Sequence, residues 1–472
     1  MAANPRDISK VSGLTPATAS SKSGTAPRLK IAVVGSGISG LSAAWLLRDR
    51  HDVTVFERDT RLGGHSNTVR VPVSGGAAIA VDTGFIVFNR RTYPNLTALL
   101  AHLDVPTQVS DMSFAASLDG GGFEYSGADL AGLFAQKRNI LRPRFWAMLR
   151  DIRKFYRNAE QHAAAAGSAD LTLGEVLDTH GYGPAFRNDH LLPMASAIWS
   201  STPTDMLSFP ALAFIRFHAN HGLLQIDDRP AWETVTGGSI TYVRKLEEHL
   251  KGCVRLGAGA ARIERGEDSV RIIDASGHGS SFDHVILASH ADQALGLLAD
   301  PTPMETAVLG AFRYQRNRAT LHSDPRFMPK RRGAWASWNY IGGHGRKSDS
   351  ACFTYWMNRL QNIPESTPLF VTLNPPREPT PGTVHYEETY EHPVFDSAAL
   401  SAQKALWHLQ GRRRTWFCGA HFGAGFHEDG LQSGLAVAEE LGGVRRPWTV
   451  PNESGRIILS PVPAREVWNP AA

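Results

Sequence analysis

Three cysteines in 472 residues, Cys253, Cys352 and Cys418, are too few and too far apart for a disulfide framework or a cysteine-based zinc site. That scarcity suggests a reducing compartment. No apolar run approaches the roughly 18 residues of a membrane-spanning helix, so no transmembrane anchor is expected. Residues 1–27 lack the apolar core of a secretory signal and are rich in Ser, Thr and Ala, so 1–28 reads as a disordered tail. The expected location is cytoplasmic. A bias to one charge is nearly missing: 49 Lys and Arg against 45 Asp and Glu leave +4. Nothing in that balance suggests a nucleic-acid partner. The surplus is local, because residues 137–157 hold eight basic residues and one Asp. Neither H-E-x-x-H nor C-x-x-C occurs. His218-Ala-Asn-His221 has ligand spacing but no third ligand nearby, so no metal is expected. No repeat of 20–50 residues is visible.

What is present is ordinary globular composition, 42% hydrophobic and 20% charged, with 44 Gly, somewhat above the usual share of about 7%. Lys30-Ile-Ala-Val-Val34 reads as a buried strand, and Leu41 to Arg48 as a helix of good formers. Between them Gly35, Gly37 and Gly40 form G-x-G-x-x-G, with Ser36 and Ser39 inside the loop. Val53 to Phe56 is a second strand ending in Glu57, which lies 57 − 35 = 22 residues after the first glycine. That spacing matches a dinucleotide-binding turn with a ribose-binding acid. The helix N-terminus would face the pyrophosphate, and an acid at 57 disfavours the 2′-phosphate of NADP. Arg58 follows, and Arg61-Leu-Gly-Gly-His65 supplies Gly63 and Gly64 for a second loop and Arg61 to neutralise phosphate charge.

Strand-like sequence returns at 254–290 and 415–418 after long interruptions. The expected class is therefore α/β. A discontinuous Rossmann-type domain over 29–95, 232–300 and 410–445 carries an inserted α+β substrate domain over 96–231 and 301–409, and 446–472 forms a C-terminal tail. Residues 96–231 read as mostly helical.

Several further residues are singled out. Asp429 precedes a run of good helix formers and reads as an N-cap, with Gly430 opening the helix so that a planar ring can sit against the backbone. Glu428 is a ribityl or structural partner. His421 and His427 are weak catalytic candidates, and Cys418 reads as a buried strand cysteine. Trp335, Trp338, Tyr340, Tyr355 and Trp356 form an aromatic group suited to a cation, to an apolar substrate or simply to a β core.

The run Glu57-Arg-Asp-Thr-Arg-Leu-Gly-Gly-His-Ser-Asn-Thr68 resembles the flavin amine oxidase superfamily, which usually reads R-x-G-G-R; His65 replaces the second Arg. Thr236-Gly-Gly-Ser239, the Ala260 to Ile263 strand, and Phe417 to Gly430 with Gly419 resemble further flavin segments of that superfamily. The resemblance covers residues 30–445 and implies FAD. Asp82 to Asn89, Thr92 to Leu96, Ala334 to Tyr340 and Gly425 to Gly430 resemble its bacterial "predicted NAD/FAD-binding protein" branch. Some members of that branch are associated with cyclopropane fatty-acid synthase-like enzymes and lipid modification. Amine oxidases of the superfamily often place a Lys near the flavin N5. Tyr314 to Leu321, the corresponding region, holds none. The expected function is an FAD-dependent oxidoreductase passing hydride from a C–H or N–H bond to flavin N5, with a lipid acyl chain or other apolar molecule as substrate. The alternatives are an amine oxidase using oxygen and a non-catalytic FAD-binding scaffold for a lipid-modifying partner. On a helix, Phe145, Met148, Leu149, Ile152, Phe155 and Tyr156 share a face rimmed by basic residues. That face suits peripheral contact with the inner membrane surface or packing on the protein's own domain.

Overall fold

The structure, a computed structural model, describes residues 27–73, 76–169, 171–199, 202–220, 222–225, 230–343 and 352–459. The first 26 residues of the expected tail, and His221 of the metal-like pair, lie outside them.

β-branched runs with no polar alternation form a sheet covered on both faces. Its five parallel strands come from distant parts of the chain, in the order Val254–Arg255, Asp52–Phe56, Lys30–Val34, His284–Leu287 and Thr415–Phe417. Ile31 and Val33 face one core, shared with Leu41 of the Ile38–Leu47 helix and Leu435 of the His427–Gly442 helix. Ala32 and Val34 face a second core, shared with Ala294 and Ala402. The two helices of the first face cross closely. A Cβ on Gly434 would sit 2.2 Å from the Ser39 carbonyl oxygen.

A seven-stranded, mainly antiparallel sheet forms the other large layer. Its order is Val384–Val394, Arg313–His322, Phe370–Leu373, Cys352–Trp356, Trp338–Gly342, Phe114–Leu118 and Phe123–Ser126. The last two strands lie in the stretch expected to be mostly helical. Phe114–Leu118 pairs with 338–342 and Phe123–Ser126 pairs with Phe114–Leu118, which pulls that stretch into the sheet.

Helices cover one end of this layer around Phe155, Phe186, Trp199 and Phe214. Pro143 sits in the first turn of the long Pro143–Ala169 helix, where its missing N–H costs nothing. Phe145, Met148 and Phe155 are fully buried. The apolar stripe of this helix therefore packs on its own protein, and Arg144 grips Asp189 at 2.7 Å.

The expected C-terminal tail is not a tail over 446–459. Arg446 is 2% exposed and pairs with Glu439 at 2.8 Å. Trp448 stacks on Trp45 at 5.8 Å, and Ile457 enters the second core. Local polarity hid these residues, because their partners lie elsewhere in the fold. Among the described residues no helix is long and apolar enough to cross a membrane.

Candidate functional site

The strand–turn–helix at 30–47 builds the first wall of the site. Gly35 turns the chain at φ +101°. Gly40 is the closest approach: a Cβ there would stand 2.0 Å from the Gly35 carbonyl oxygen. Gly37 differs, since a Cβ would meet nothing within 4 Å. The loop is tight against protein at 35 and 40 and open at 37, where a pyrophosphate has to approach. Ser39 is buried within the first turn of the helix.

Glu57, 7% exposed, stands at the end of the adjacent strand. Its Oε2 accepts from the Ser36 N–H at 2.9 Å and from Ser36 Oγ, and its Oε1 accepts from the Asp59 N–H at 2.9 Å. The carboxylate keeps acceptor capacity for ribose hydroxyls. The 257–260 segment zips onto it: Ala258 N–H donates to the Glu57 carbonyl at 2.9 Å, and Gly259 packs on Arg58. Ala260 opens the strand that follows. The second glycine loop closes over the first, with Gly63 N–H donating to the Ser36 carbonyl at 3.0 Å and Gly64 lying against Gly37. A phosphate-accessible glycine, an N-terminal helix turn and a fixed acid at one place fit the pyrophosphate and ribose of a dinucleotide. Arg58 remains largely exposed. Arg61 donates to the Gly64 carbonyl at 2.8 Å, which braces the loop, and faces Glu388 at 3.9 Å.

Beyond Gly64 the wall is made of neutral imidazoles and phenols. His65 lies 4.9 Å from the Tyr390 ring, 5.5 Å from His392 and 6.5 Å from His290. Burial, then the neighbouring His392, His290, His427 and Arg61, holds His65 well below its ordinary value. It supplies no positive charge where the resembling motif has an Arg. Burial likewise lowers His392 to about 4. Asn374 Nδ2 donates to Asn317 Oδ1 at 2.7 Å, which orients Asn317 to donate from Nδ2 to His392 Nδ1 at 2.9 Å. The proton of neutral His392 therefore sits on Nε2. Tyr390, raised to about 12 by burial, bonds Thr83 Oγ1 at 2.7 Å and accepts from Asn67 Nδ2 at 3.0 Å.

His427 joins this wall. Its ring stacks on Phe85 at 3.9 Å, and its Nε2 bonds the Tyr242 hydroxyl at 2.8 Å. Burial drops it to about 3. His421 is also lowered to about 3 by burial, but it lies against Phe312 with Nε2 buried and unpartnered.

The C-terminal helix departs from expectation. It starts at His427, with Phe426 as N-cap, because Asp429 Oδ2 reaches back to the Phe426 N–H at 2.8 Å. Asp429 is thus the third helical residue, and it forms a buried ion pair with Arg456 at 2.5 Å. At Gly430 the missing side chain makes room for Ile38, which a Cβ would meet at 3.0 Å. Glu428 is spent capping another helix, Pro94–His102. It accepts from the Asn95 N–H, Asn95 Nδ2 and Leu96 N–H at 2.9–3.0 Å. Gly419 N–H donates to Ser433 Oγ at 2.9 Å, tying the last parallel strand to that helix.

The aromatic group divides. Trp335 and Trp356 pack edge to face at 5.3 Å, and the Arg332 guanidinium fills the cage they form, 3.9 and 4.4 Å from the rings. This cage already holds its cation and is not a substrate wall. Trp338 and Tyr355 lie instead on the inner face of the seven-stranded sheet, 4.8 Å apart, and Tyr340 lines the same face. His218 of the metal-like pair is buried, with Nδ1 on the Phe214 carbonyl at 2.8 Å. Cys418 is buried, and its thiol is pushed up to about 12.

Sequence reasoning missed Asp82, Thr83, Asn67, Tyr242, His290, Tyr390 and His392. The Asp82-Thr-Gly run was visible but carried no role. Asp82 accepts from the Ser239 N–H at 3.0 Å, Thr68 Oγ1 at 2.5 Å and Gln361 Nε2 at 2.8 Å, pinning the Gly237-Gly238 turn.

Comparison with known proteins agrees with this geometry. The family described as flavin containing amine oxidoreductase matches residues 38–323, more than half of the chain. AofH of Mycobacterium tuberculosis, named as a flavin-containing monoamine oxidase, is 29% identical over 280 residues, covering 57% of this chain and 59% of that protein. The match thus spans under two thirds of that relative. Cyclohexylamine oxidase from Brevibacterium oxydans shares the fold at a TM-score of 0.64 with 16% identity, over 88% of this chain and 100% of that one. The fatty acid isomerase from P. acnes that produces CLA does so at 0.60 with 15% identity, over 88% and 98%. With the dinucleotide cradle and the second glycine loop in place, the chain belongs to the flavin-containing amine oxidoreductase family, whose cofactor is FAD.

Proposed function

We propose that this protein is an FAD-dependent oxidoreductase that dehydrogenates or isomerises an apolar, acyl-type substrate. The observation that carries the reading is the uncharged wall of His65, Tyr390, His392 and His427, backed by an apolar row on the inner sheet face. Tyr386, Leu321, Val371, Tyr355, Trp338 and Phe114 stand in register on six adjacent strands. Five steps of about 4.8 Å make the row about 24 Å long. Leu321 and Val371 are fully buried in the core, so the row is packed apolar backing and not an open groove. At one end Tyr386 donates to Glu388 at 2.7 Å. A neutral wall on apolar backing suits an uncharged hydrocarbon better than a cationic amine.

Flavin, when bound, accepts a hydride and supplies the redox chemistry. The protein's part is to hold, orient and keep dry. Gly37, Gly64 and the 38–47 helix N-terminus hold pyrophosphate, and Glu57 holds ribose. Tyr390 stays protonated and is fixed by Thr83 and Asn67. His392 presents Nε2–H as a donor, so it orients a polar substrate atom and does not act as a strong base. The burial that keeps His65, His392 and His427 neutral excludes water.

The fatty acid isomerase of the same fold supports this reading; AofH supports amine oxidation, the second reading. Anaerobic mixing of the FAD-loaded protein with fatty acyl compounds and with amines separates them. Dehydrogenation of an acyl compound is expected to bleach the visible flavin band; isomerisation returns the hydride to the substrate and is read as a moved double bond with the flavin left oxidised. Reaction of amines alone, or of neither class by both readouts, refutes the acyl reading.

A further inference from the structure

The apolar stripe of the Pro143–Ala169 helix is spent on the core, yet the opposite face carries a second pattern. Trp146 is 49% exposed, and just before the helix Ile140 is 47% and Leu141 85% exposed. Leu130, 75% exposed, opens the neighbouring short helix. Trp146 is fixed there by its Nε1–H, which donates to the Ile140 carbonyl at 2.8 Å, and by Phe134 at 6.3 Å. Leaving these large side chains in water has no packing reason.

The same helix face continues as arginine. Positions 146, 150, 153 and 157 follow the 3–4 spacing of one stripe. Arg150 is neutralised by Asp151 at 3.0 Å. Arg153 and Arg157, both exposed, have no acidic partner among the described residues. With Tyr156 and Leu224 they line a shallow cavity of about 280 Å³. Among the described acids, Asp189 holds Arg144 and Asp129 caps its own helix. At the apolar end, Arg142 is lowered by burial and by its neighbours Arg138 and Arg331, so positive charge is crowded there as well.

A protruding Leu and Trp beside unpaired, shallow cations is the chemistry of an anionic lipid interface. We propose that this face docks the protein on an anionic membrane surface, with Leu130, Ile140, Leu141 and Trp146 entering the headgroup boundary and Arg153 and Arg157 taking lipid phosphates. A nucleic-acid partner has no use for the apolar tip, and a protein groove has no need of two bare guanidiniums. The docking does not depend on the acyl reading, although Tyr156 leads through His190, at 3.5 Å, to Phe114 at the end of the sheet row.

The test uses the full, FAD-loaded protein and sedimentation with vesicles of equal parts phosphatidylglycerol and phosphatidylcholine, against phosphatidylcholine alone. Binding to the anionic vesicles at low salt is expected, with loss toward 1 M salt, where the Debye length falls from about 10 Å to about 3 Å. Each cation near such a surface is worth about fivefold, so R153Q/R157Q should bind roughly 25-fold more weakly. Leu141→Ser should weaken binding by about tenfold or more. All these side chains are exposed, so unchanged flavin absorbance and circular dichroism establish that the variants are folded. Vesicles containing brominated lipid should quench Trp146, and the quenching should vanish in W146F. Failure of the wild type to sediment with anionic vesicles at low salt overturns the proposal. So does binding that is equal on both vesicle types or unchanged in the variants.

Discussion

Replacing Arg456 by Met tests how the C-terminal strap holds the helix that starts at His427 beside the imidazole wall. Asp429, with a fully buried side chain, has Arg456 as its cation at 2.5 Å. Met keeps much of the apolar stem, so the change is mainly electrostatic. The stranded carboxylate retains only the Phe426 N–H. An uncompensated buried charge costs about 3–5 kcal/mol. The Thr92 carbonyl also loses its donor, at 3.0 Å in the native state, which adds about 1 kcal/mol. Unfolding entropy near 2.1 cal/mol/K per residue gives about 1 kcal/mol/K for a chain of this length, so the melting midpoint should fall by about 4–6 °C.

The second variant decides the cause. R456M/D429N removes the charge but keeps an oxygen for Phe426, so it should recover most of the loss. The coupling read from the cycle should be about 2–4 kcal/mol. Flavin fluorescence during a thermal ramp reads cofactor release, and circular dichroism reads unfolding. A midpoint for R456M equal to wild type, or a double variant no better than the single, would refute the reasoning.

Gly37→Val should abolish FAD retention while leaving the apo fold intact, because a Cβ there meets only open space; absorbance after desalting checks it. Gly40→Ala should fail to fold, given the 2.0 Å approach to Gly35, and soluble yield reports that. Burial pushes Asp82 up to about 6, only partly offset by the bonds from Thr68, Ser239 and Gln361. Its folded value is raised, so stability is complete below about pH 4 and falls by roughly 3 kcal/mol as pH rises through about 6. Urea midpoints across that window should show the slope, flattened in Asp82→Asn. Arg332→Ala should cost about 1–2 kcal/mol from the Trp335–Trp356 cage and leave flavin reduction kinetics unchanged.

What could be seen in the sequence was chemistry confined to short spacing. The G-x-G-x-x-G turn and Glu57 belong to one β-turn-α-β unit, so spacing alone carries their geometry. The parallel strands were visible because strands buried on both faces read as unbroken apolar runs. Roles set by distant partners were not visible. Glu428 and Asp429 sit at a helix start where cofactor contact is a reasonable expectation, yet Asn95 and Arg456 claim them from 333 and 27 residues away. The aromatic group looked like one wall, but strand alternation sends Trp338 and Tyr355 to the inner face, while Trp335 and Trp356 enclose Arg332. The neutral imidazole wall is the extreme case. His65, His290, His392 and His427 are scattered through the chain; His65 and His427 lie in motif runs, but no run shows that the four meet, and each is kept neutral by burial that only the folded sheet provides. The site's electrostatic character, unlike its cofactor cradle, is thus a property of tertiary packing. A second protein with the same glycine loops but charged residues at 65 and 392 would bind the same cofactor and face a different substrate.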